Sequence, residues 1–261
     1  MKYLNLGCGL RFHPDWVNVD LEPVSPEIQR VDLRERLPFP DGLFDAVYHS
    51  HVLEHFAKKQ GLTFLKECCR VLRGGGVIRV AVPNLECIAR IYLEALEHCT
   101  SGDPDWRERY EWIMLEMYDQ TVRDSSSGEM GEYVRKASKP QLEFIRQRLG
   151  SELDRFFQNA PRAKKRSLGE RVRQRALRLL MGEVALKAYE HGSFRNSGEI
   201  HKWMYDRHSL GKALLETGFI DAHVAGAAQS RIPNWTSFNL DTEPDGGVYK
   251  PDSLFMEAVR P

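Results

Sequence analysis

The sequence predicts an α/β fold, a doubly wound and mostly parallel sheet with a long helical insertion. Three observations carry that expectation. Short runs rich in Val, Leu, Ile and aromatics recur near the start and the end of the chain. Unbroken apolar runs of that length are how strands covered on both faces read. Helical periodicity separates the later runs, as right-handed crossover units require, and from about residue 87 to 196 helical periodicity stands alone with no strand signal.

In order, "KYLNLGC", "WVNVD", "FDAVYHS" and "GVIRVAVPN" read as strands. Between the last two, "VLEHFAKKQGLTFLKECCRVLRGGG" repeats Leu62, Leu65, Cys69 and Leu72 at helical spacing, with three glycines to stop the helix. In the strandless region "WRERYEWIMLEMYDQ" places Trp106, Tyr110, Ile113 and Met117 on one face. "KPQLEFIRQRLGSELDRFFQ" reads as one helix through Leu142, Ile145, Leu149, Leu153 and Phe156. The stretch "RDSSSGEMGE" between them reads as a mobile loop. "PRAKKRSLGERVRQRALRLL" then carries many bases over a stripe of Leu168, Val172, Ala176 and Leu180. The α/β pattern resumes with a helix "DRHSLGKALLETGF" ending at Gly218 and strands "DAHVAGAAQ" and "SLFMEAVRP". There is no internal repeat. The expected organisation is one α/β domain over 1–86 and 197–261, with 87–196 as a helical insertion over the substrate.

Composition narrows the function classes. At 261 residues and 42% hydrophobic content the chain can bury a sizeable core. Thirty-seven basic and 37 acidic residues cancel, so no global charge draws it to nucleic acid or membrane. Five cysteines without paired spacing argue against a disulfide framework and for a reducing compartment. No run reaches the roughly 20 apolar residues of a membrane span, and the first strand leaves no room for a leader. A cytoplasmic protein without stable membrane insertion is expected.

The first strand breaks into Gly7-Cys8-Gly9, and the second ends on Asp20. A dinucleotide site wants a third glycine where Phe12 stands, and an acid about 20 residues on. Here the acid comes sooner, and hardly any room remains for a helix between the two strands. No Gly-Lys-Ser/Thr follows, so a P-loop is excluded. What remains is a ligand needing close backbone approach and a ribose-binding acid, without a diphosphate cradle. S-adenosylmethionine meets those demands.

"LNLGCG", "VNVD", "VDLRERLPFPDGLFDAVYHSHVLEH" and "LKECCRVLRGGGVIRVAVPNLE", in that order, resemble the class I S-adenosylmethionine-dependent methyltransferases. The resemblance covers Tyr3 to Glu86 and returns near His201. It implies a Rossmann-like sheet of seven strands with an antiparallel last strand, and S-adenosylmethionine as cofactor. It further implies that Gly7, Cys8 and Gly9 line the methionine part, that Asp20 takes the ribose hydroxyls, and that Leu6 and Leu21 also belong to the cofactor site. Asp32 and Leu33 would read adenine, and His49 and Ser50 would lie between cofactor floor and substrate mouth. The usual first helix is missing, so Arg11 is expected to hold the cofactor's carboxylate.

His49 and His201 are the candidate catalytic groups, although methyl transfer from a sulfonium needs positioning more than a base. His49, His51 and His55 also invite a metal reading, but no Cys or acid completes a convincing shell, and no metal is expected. The acceptor is expected to be a small molecule or saccharide, loosely linked to the cell envelope. The basic stretch 162–178 is a candidate contact for an anionic partner. The competing reading is an inactive S-adenosylmethionine-binding scaffold that uses this basic helix.

Overall fold

The computed structural model describes residues 1–158 and 168–261. The basic stretch 162–178 therefore lies partly outside the described residues. Four strands come first: β1 (Tyr3–Leu6), β2 (Trp16–Asp20), β3 (Ile28–Arg30) and β4 (Phe44–Ser50). Helix α1 (Lys58–Val71) leads into β5 (Leu72–Pro83). Six helices follow: α2 (Leu85–Thr100), α3 (Arg107–Val122), α4 (Gly128–Lys136), α5 (Lys139–Leu149), α6 (Leu153–Gln158) and α7 (Leu168–Arg195). Helix α8 (Arg207–Glu216), β6 (Ile220–Ala225) and β7 (Ser253–Val259) close the chain.

The seven strands form one sheet in the order β3-β2-β1-β4-β5-β7-β6. The first five pair in parallel, and β7 runs antiparallel to both β5 and β6. This is the Rossmann-like sheet with an antiparallel last strand that the sequence led us to expect. Among the described residues no helix is long and apolar enough to cross a membrane.

The period-2 alternation of the strands sorts their side chains between two different covers. Leu4, Leu6, Val47 and Val80 pack against Phe64, Leu65 and Cys68 of α1 and Leu210 and Leu214 of α8. Tyr3, Trp16, Ala46 and Tyr48 face the other way and meet Ile232, Trp235, Phe238 and Leu240 from the β6–β7 connection. Aromatic residues from a loop thus stand where helices usually cover this fold. A buried charge anchors that loop: Arg79 on β5 pairs with Asp241 at 2.7 Å and Glu257 at 2.9 Å. The same guanidinium donates to the carbonyls of Gly226, Ala227 and Gln229. Every donor has a partner, which is what makes a fully buried arginine tolerable.

Several local expectations shift. Helix α1 buries Phe64, Leu65, Cys68 and Val71, one residue off the Leu62–Cys69 phase. Leu72 already belongs to β5, paired with Phe44, so the glycines do not stop the helix. They form an irregular strand start instead: Gly75 has φ +74°, and a Cβ on Gly76 would lie 2.9 Å from the Arg73 carbonyl. In α3 the buried face is Trp112, Ile113, Glu116 and Asp119 rather than Tyr110 and Met117. The stretch expected as one helix from Lys139 breaks at Gly150, whose φ of +57° ends α5. Half of "RDSSSGEMGE" is not a loop either. Gly128 starts α4, and the Asp119 carboxylate caps it by accepting the Glu129 amide at 2.7 Å.

Helices α2 to α6 have a core of their own: Ile88, Trp112, Ile113, Met130, Val134, Ile145, Leu149 and Leu153. Inside it Arg148 meets Glu116 at 2.8 Å, with both side chains buried. Backbone contacts tie this layer to the sheet. His201 donates its amide to the Gln120 carbonyl, and Asp252 donates to that of Arg148, each at 2.9 Å.

Candidate functional site

A cavity of about 300 Å³ opens at the carboxyl ends of β1 and β4, on the sheet face covered by the β6–β7 connection. In open α/β sheets that edge is where ligands sit. Its floor is the turn after β1. Gly7 and Cys8 both donate to the Val19 carbonyl, at 2.8 and 3.1 Å, so the turn hooks across to β2. Gly7 and Gly9 hold φ of +66° and +51°, a region other residues enter at a cost. A Cβ on Gly7 would stand 2.5 Å from Val52 Cγ2, whereas one on Gly9 would meet nothing within 4 Å. Gly7 is needed for space as well as conformation, Gly9 for conformation alone.

Asp20 sits beside this turn. Its Oδ2 accepts the Gly9 amide at 2.8 Å and its Oδ1 the Glu22 amide at 2.9 Å. The Asp20 carbonyl accepts the Val31 amide, which draws the Asp32 segment alongside. Asp32 itself turns to Arg34, whose guanidinium contacts it at 2.6 Å and holds its carboxyl below the ordinary range. Leu33 packs at the turn, its Cδ1 3.5 Å from a Cβ position on Gly7. Leu6 is fully buried on the helix-covered face, and Leu21 is half-buried. Burial, with the Asp20 charge adding to it, pushes the Cys8 thiol up to about 12, which makes it a wall rather than a nucleophile.

Of the residues singled out from sequence, Gly7, Cys8, Gly9, Arg11, Ser50 and His201 line the cavity together. Arg11 already has partners: Glu243 at 2.6 Å and the Tyr249 ring, 3.7 Å from the guanidinium carbon to the centroid. His49 is not brought to the cavity. Strand alternation sends it to the α1 face, fully buried, with its ring edge-on to Phe64 at 5.1 Å. Burial lowers its pKa to about 4, so it is a neutral core imidazole.

The remaining walls come from places with no sequence signal toward a site. Gln120 and Arg123 reach in from the end of α3, Glu152 from the turn before α6, and Tyr249 and Lys250 from the segment before β7. Burial alone would lower the Lys250 ammonium, but Glu152 at 2.6 Å and Asp252 outweigh it and raise it. Sequence spacing could not have found these groups, because the fold assembles them from widely separated segments. His51 and His55 were visible in "HSHVLEH", and both also line the cavity.

One side of the cavity is a histidine cluster around Glu54. His51 leaves β4 with φ +53°, an uncommon backbone for a non-glycine residue that marks a built position. Its Nδ1 lies 3.2 Å from Glu54 Oε1, and its Nε2 lies 2.8 Å from Ser253 Oγ. His201 Nε2 stands 4.0 Å from the same Glu54 oxygen, and the His55 and His201 rings meet edge to face at 4.8 Å. Burial pushes Glu54 up, but the three imidazoles outweigh it and hold the carboxyl well below its usual range. Burial also pushes the pKa values of His55 and His201 down, against the pull of Glu54.

Residues 5–80 match the family model described as a methyltransferase domain. A protein of Mycobacterium tuberculosis named as a probable S-adenosylmethionine-dependent methyltransferase is 41% identical over 58 residues, 22% of this chain and 20% of that one. A protein of Mycolicibacterium smegmatis named in the same way is 38% identical over 74 residues, 27% of this chain and 28% of that one. The match thus spans under a third of either relative. Among solved structures, a SAM-dependent methyltransferase from Archaeoglobus fulgidus aligns over 99% of this chain and 86% of its own, at 12% identity and a TM-score of 0.40.

Proposed function

We propose that this chain, with its methyltransferase domain at residues 5–80, is an S-adenosylmethionine-dependent methyltransferase of the class I type. One observation carries the reading: the Gly7–Gly9 turn, hung on Val19 and Asp20, forms the floor of a cavity at the carboxyl edge of this sheet. In this reading the methionine part lies over Gly7, Cys8 and Gly9. Asp20 keeps a lone pair on each oxygen beyond the backbone bonds it accepts, and these take the ribose hydroxyls. Leu33, packed beside Gly7, lies against the adenine with Leu21, and the Asp32 segment reads its edge. Ser50 stands between cofactor and acceptor.

The sulfonium supplies an activated methyl group, so the residues around it act by aligning the acceptor and excluding water. The helices from 87 to 196 roof the acceptor side, contributing Gln120 and Arg123. With His55, His201 and Lys250 also lining the cavity, its walls are rich in hydrogen-bonding groups, which supports a polar, hydroxyl-bearing acceptor such as a saccharide. On α7 the exposed Arg173, Arg175 and Arg178 form the described part of the basic stretch, a docking face for an anionic partner.

Thermal shifts with S-adenosylmethionine and S-adenosylhomocysteine, against NAD and ATP, test the cofactor. At a hundredfold excess over Kd, binding adds about 2.7 kcal/mol of stability, a readable rise in Tm. A shift with NAD alone would overturn the reading. Labelled methyl donor with fractionated cell extract then tests transfer; binding without transfer to any fraction would favour the scaffold reading.

A further inference from the structure

The cluster around Glu54 is more than the polar wall of a cavity. Glu54 is fully buried, yet neither carboxylate oxygen receives an aligned hydrogen bond. An ionised group so placed is costly unless something cationic meets it. The nearest candidates are imidazoles: Nδ1 of His51 at 3.2 Å and Nε2 of His201 at 4.0 Å. One ligand atom each from Glu54, His55 and His201 lie within 4.8 Å of one another. Read as sequence alone, "HSHVLEH" does not show Glu54 and its histidines converging on one point. The fold brings them together and adds His201 from beyond the helical insertion.

We propose that Glu54, His55 and His201 bind a divalent transition-metal ion, with His51 orienting the carboxylate. The donor set is two imidazoles and one carboxylate, a combination suited to zinc, iron, cobalt or nickel in the divalent state. The outer contacts are those such ligands need. His55 Nδ1 lies 3.2 Å from the Ile200 carbonyl, which takes its proton and leaves Nε2 as the bare donor. His51 bridges Glu54 and Ser253 Oγ and so holds the carboxylate from behind. The Glu54 carbonyl accepts the amides of Lys202 and Trp203, which fastens the His201 segment against the Glu54 turn. Zinc–nitrogen bonds of about 2.0–2.1 Å bring tetrahedral ligand atoms to roughly 3.3 Å, so small side-chain rotations close the set.

His51, His55 and His201 also line the cavity, so the open coordination positions face the space where an acceptor would lie. A hydroxyl bound there is acidified by the ion. Metal binding itself stands apart from methyl transfer; only this use of it rests on the methyltransferase reading.

The test uses the tag-free chain, stripped with chelator and titrated with cobalt(II) by visible absorption and with zinc by calorimetry. One equivalent per chain is expected, with a ligand-field spectrum distinct from that of aqueous cobalt. His55→Asn and His201→Asn should each weaken binding more than tenfold, and His51→Gln by 10- to 100-fold. A wild-type cobalt spectrum identical to the aqueous ion overturns the proposal, as does unchanged affinity in both folded asparagine variants. If those variants fail to fold, the wild-type spectrum and stoichiometry decide. S-adenosylhomocysteine binding is read on the same samples. Protein that takes S-adenosylhomocysteine but no cobalt sinks the metal proposal alone; the reverse sinks the methyltransferase reading alone.

Discussion

Asp20 Oδ2 accepts the Gly9 amide at 2.8 Å, so the end of β2 holds the turn that follows β1. The acid comes early in the chain because no helix separates these strands, and Cys8 and Gly7 bond directly to the Val19 carbonyl. Asp20 therefore has a structural part as well as its proposed ribose contact. Asp20→Asn can keep one acceptor for the Gly9 amide while removing the charge. We expect the variant to fold and to bind S-adenosylhomocysteine about tenfold more weakly, since hydrogen bonds to charged groups contribute roughly 1.5–3 kcal/mol. Calorimetry reads this, and an unchanged Kd in the folded variant would remove Asp20 from the cofactor site.

The two glycines should respond differently to alanine. Both pay for a positive φ, about 1–2 kcal/mol for a residue with a Cβ. Only Gly7 also drives a methyl group into Val52 Cγ2. Gly7→Ala should therefore be the more destabilising by urea denaturation, by a further ~1–3 kcal/mol of overpacking. Gly7→Ala combined with Val52→Ala should recover part of the loss. Equal costs for the two single variants would mean that Val52 gives way freely.

His49 predicts a pH dependence of stability. Burial lowers its pKa to about 4 in the folded chain, against roughly 6.5 when unfolded. Between those values the unfolded chain takes up a proton that the native chain refuses. Stability from this residue is thus complete above about pH 6.5 and falls as the pH drops toward 4, by roughly 3 kcal/mol in all. His49→Leu keeps an apolar contact with Phe64 and should flatten that part of the profile. Urea midpoints at pH 7, 5.5 and 4.5 check it; parallel profiles for the two proteins would refute the assignment.

These residues show what could be read from sequence and what could not. The Gly7–Gly9 turn, Asp20 and six of the seven strands come from local patterns, such as a run that breaks on glycine and a run that ends on an acid, while the antiparallel last strand comes from the family resemblance. They appear in the fold as expected. His49 did not, because a strand's period of two decides which face a side chain takes, and naming the strand does not say which face carries the cavity. Residues such as Gln120, Glu152 and Lys250 meet only through tertiary packing. Strand β3 has three residues and Gly150 breaks what periodicity joins, so both fall below what an apolar pattern can resolve.

The helical layer from α2 to α6 should be separable from the cofactor site in its energetics. Arg148 and Glu116 sit in its core as a buried pair, Glu116 also accepting from the Trp112 indole. Removing one partner strands a buried charge: Arg148→Met should cost about 3–5 kcal/mol, and Glu116, which burial already pushes up, should titrate higher still. The double variant Glu116→Leu, Arg148→Met removes both charges and should recover most of the loss. Affinity for S-adenosylhomocysteine should stay within a few-fold throughout, because none of the proposed cofactor contacts lies in this core. If the folded double variant lost that affinity, helices 87–196 would belong to the cofactor site rather than to an acceptor roof.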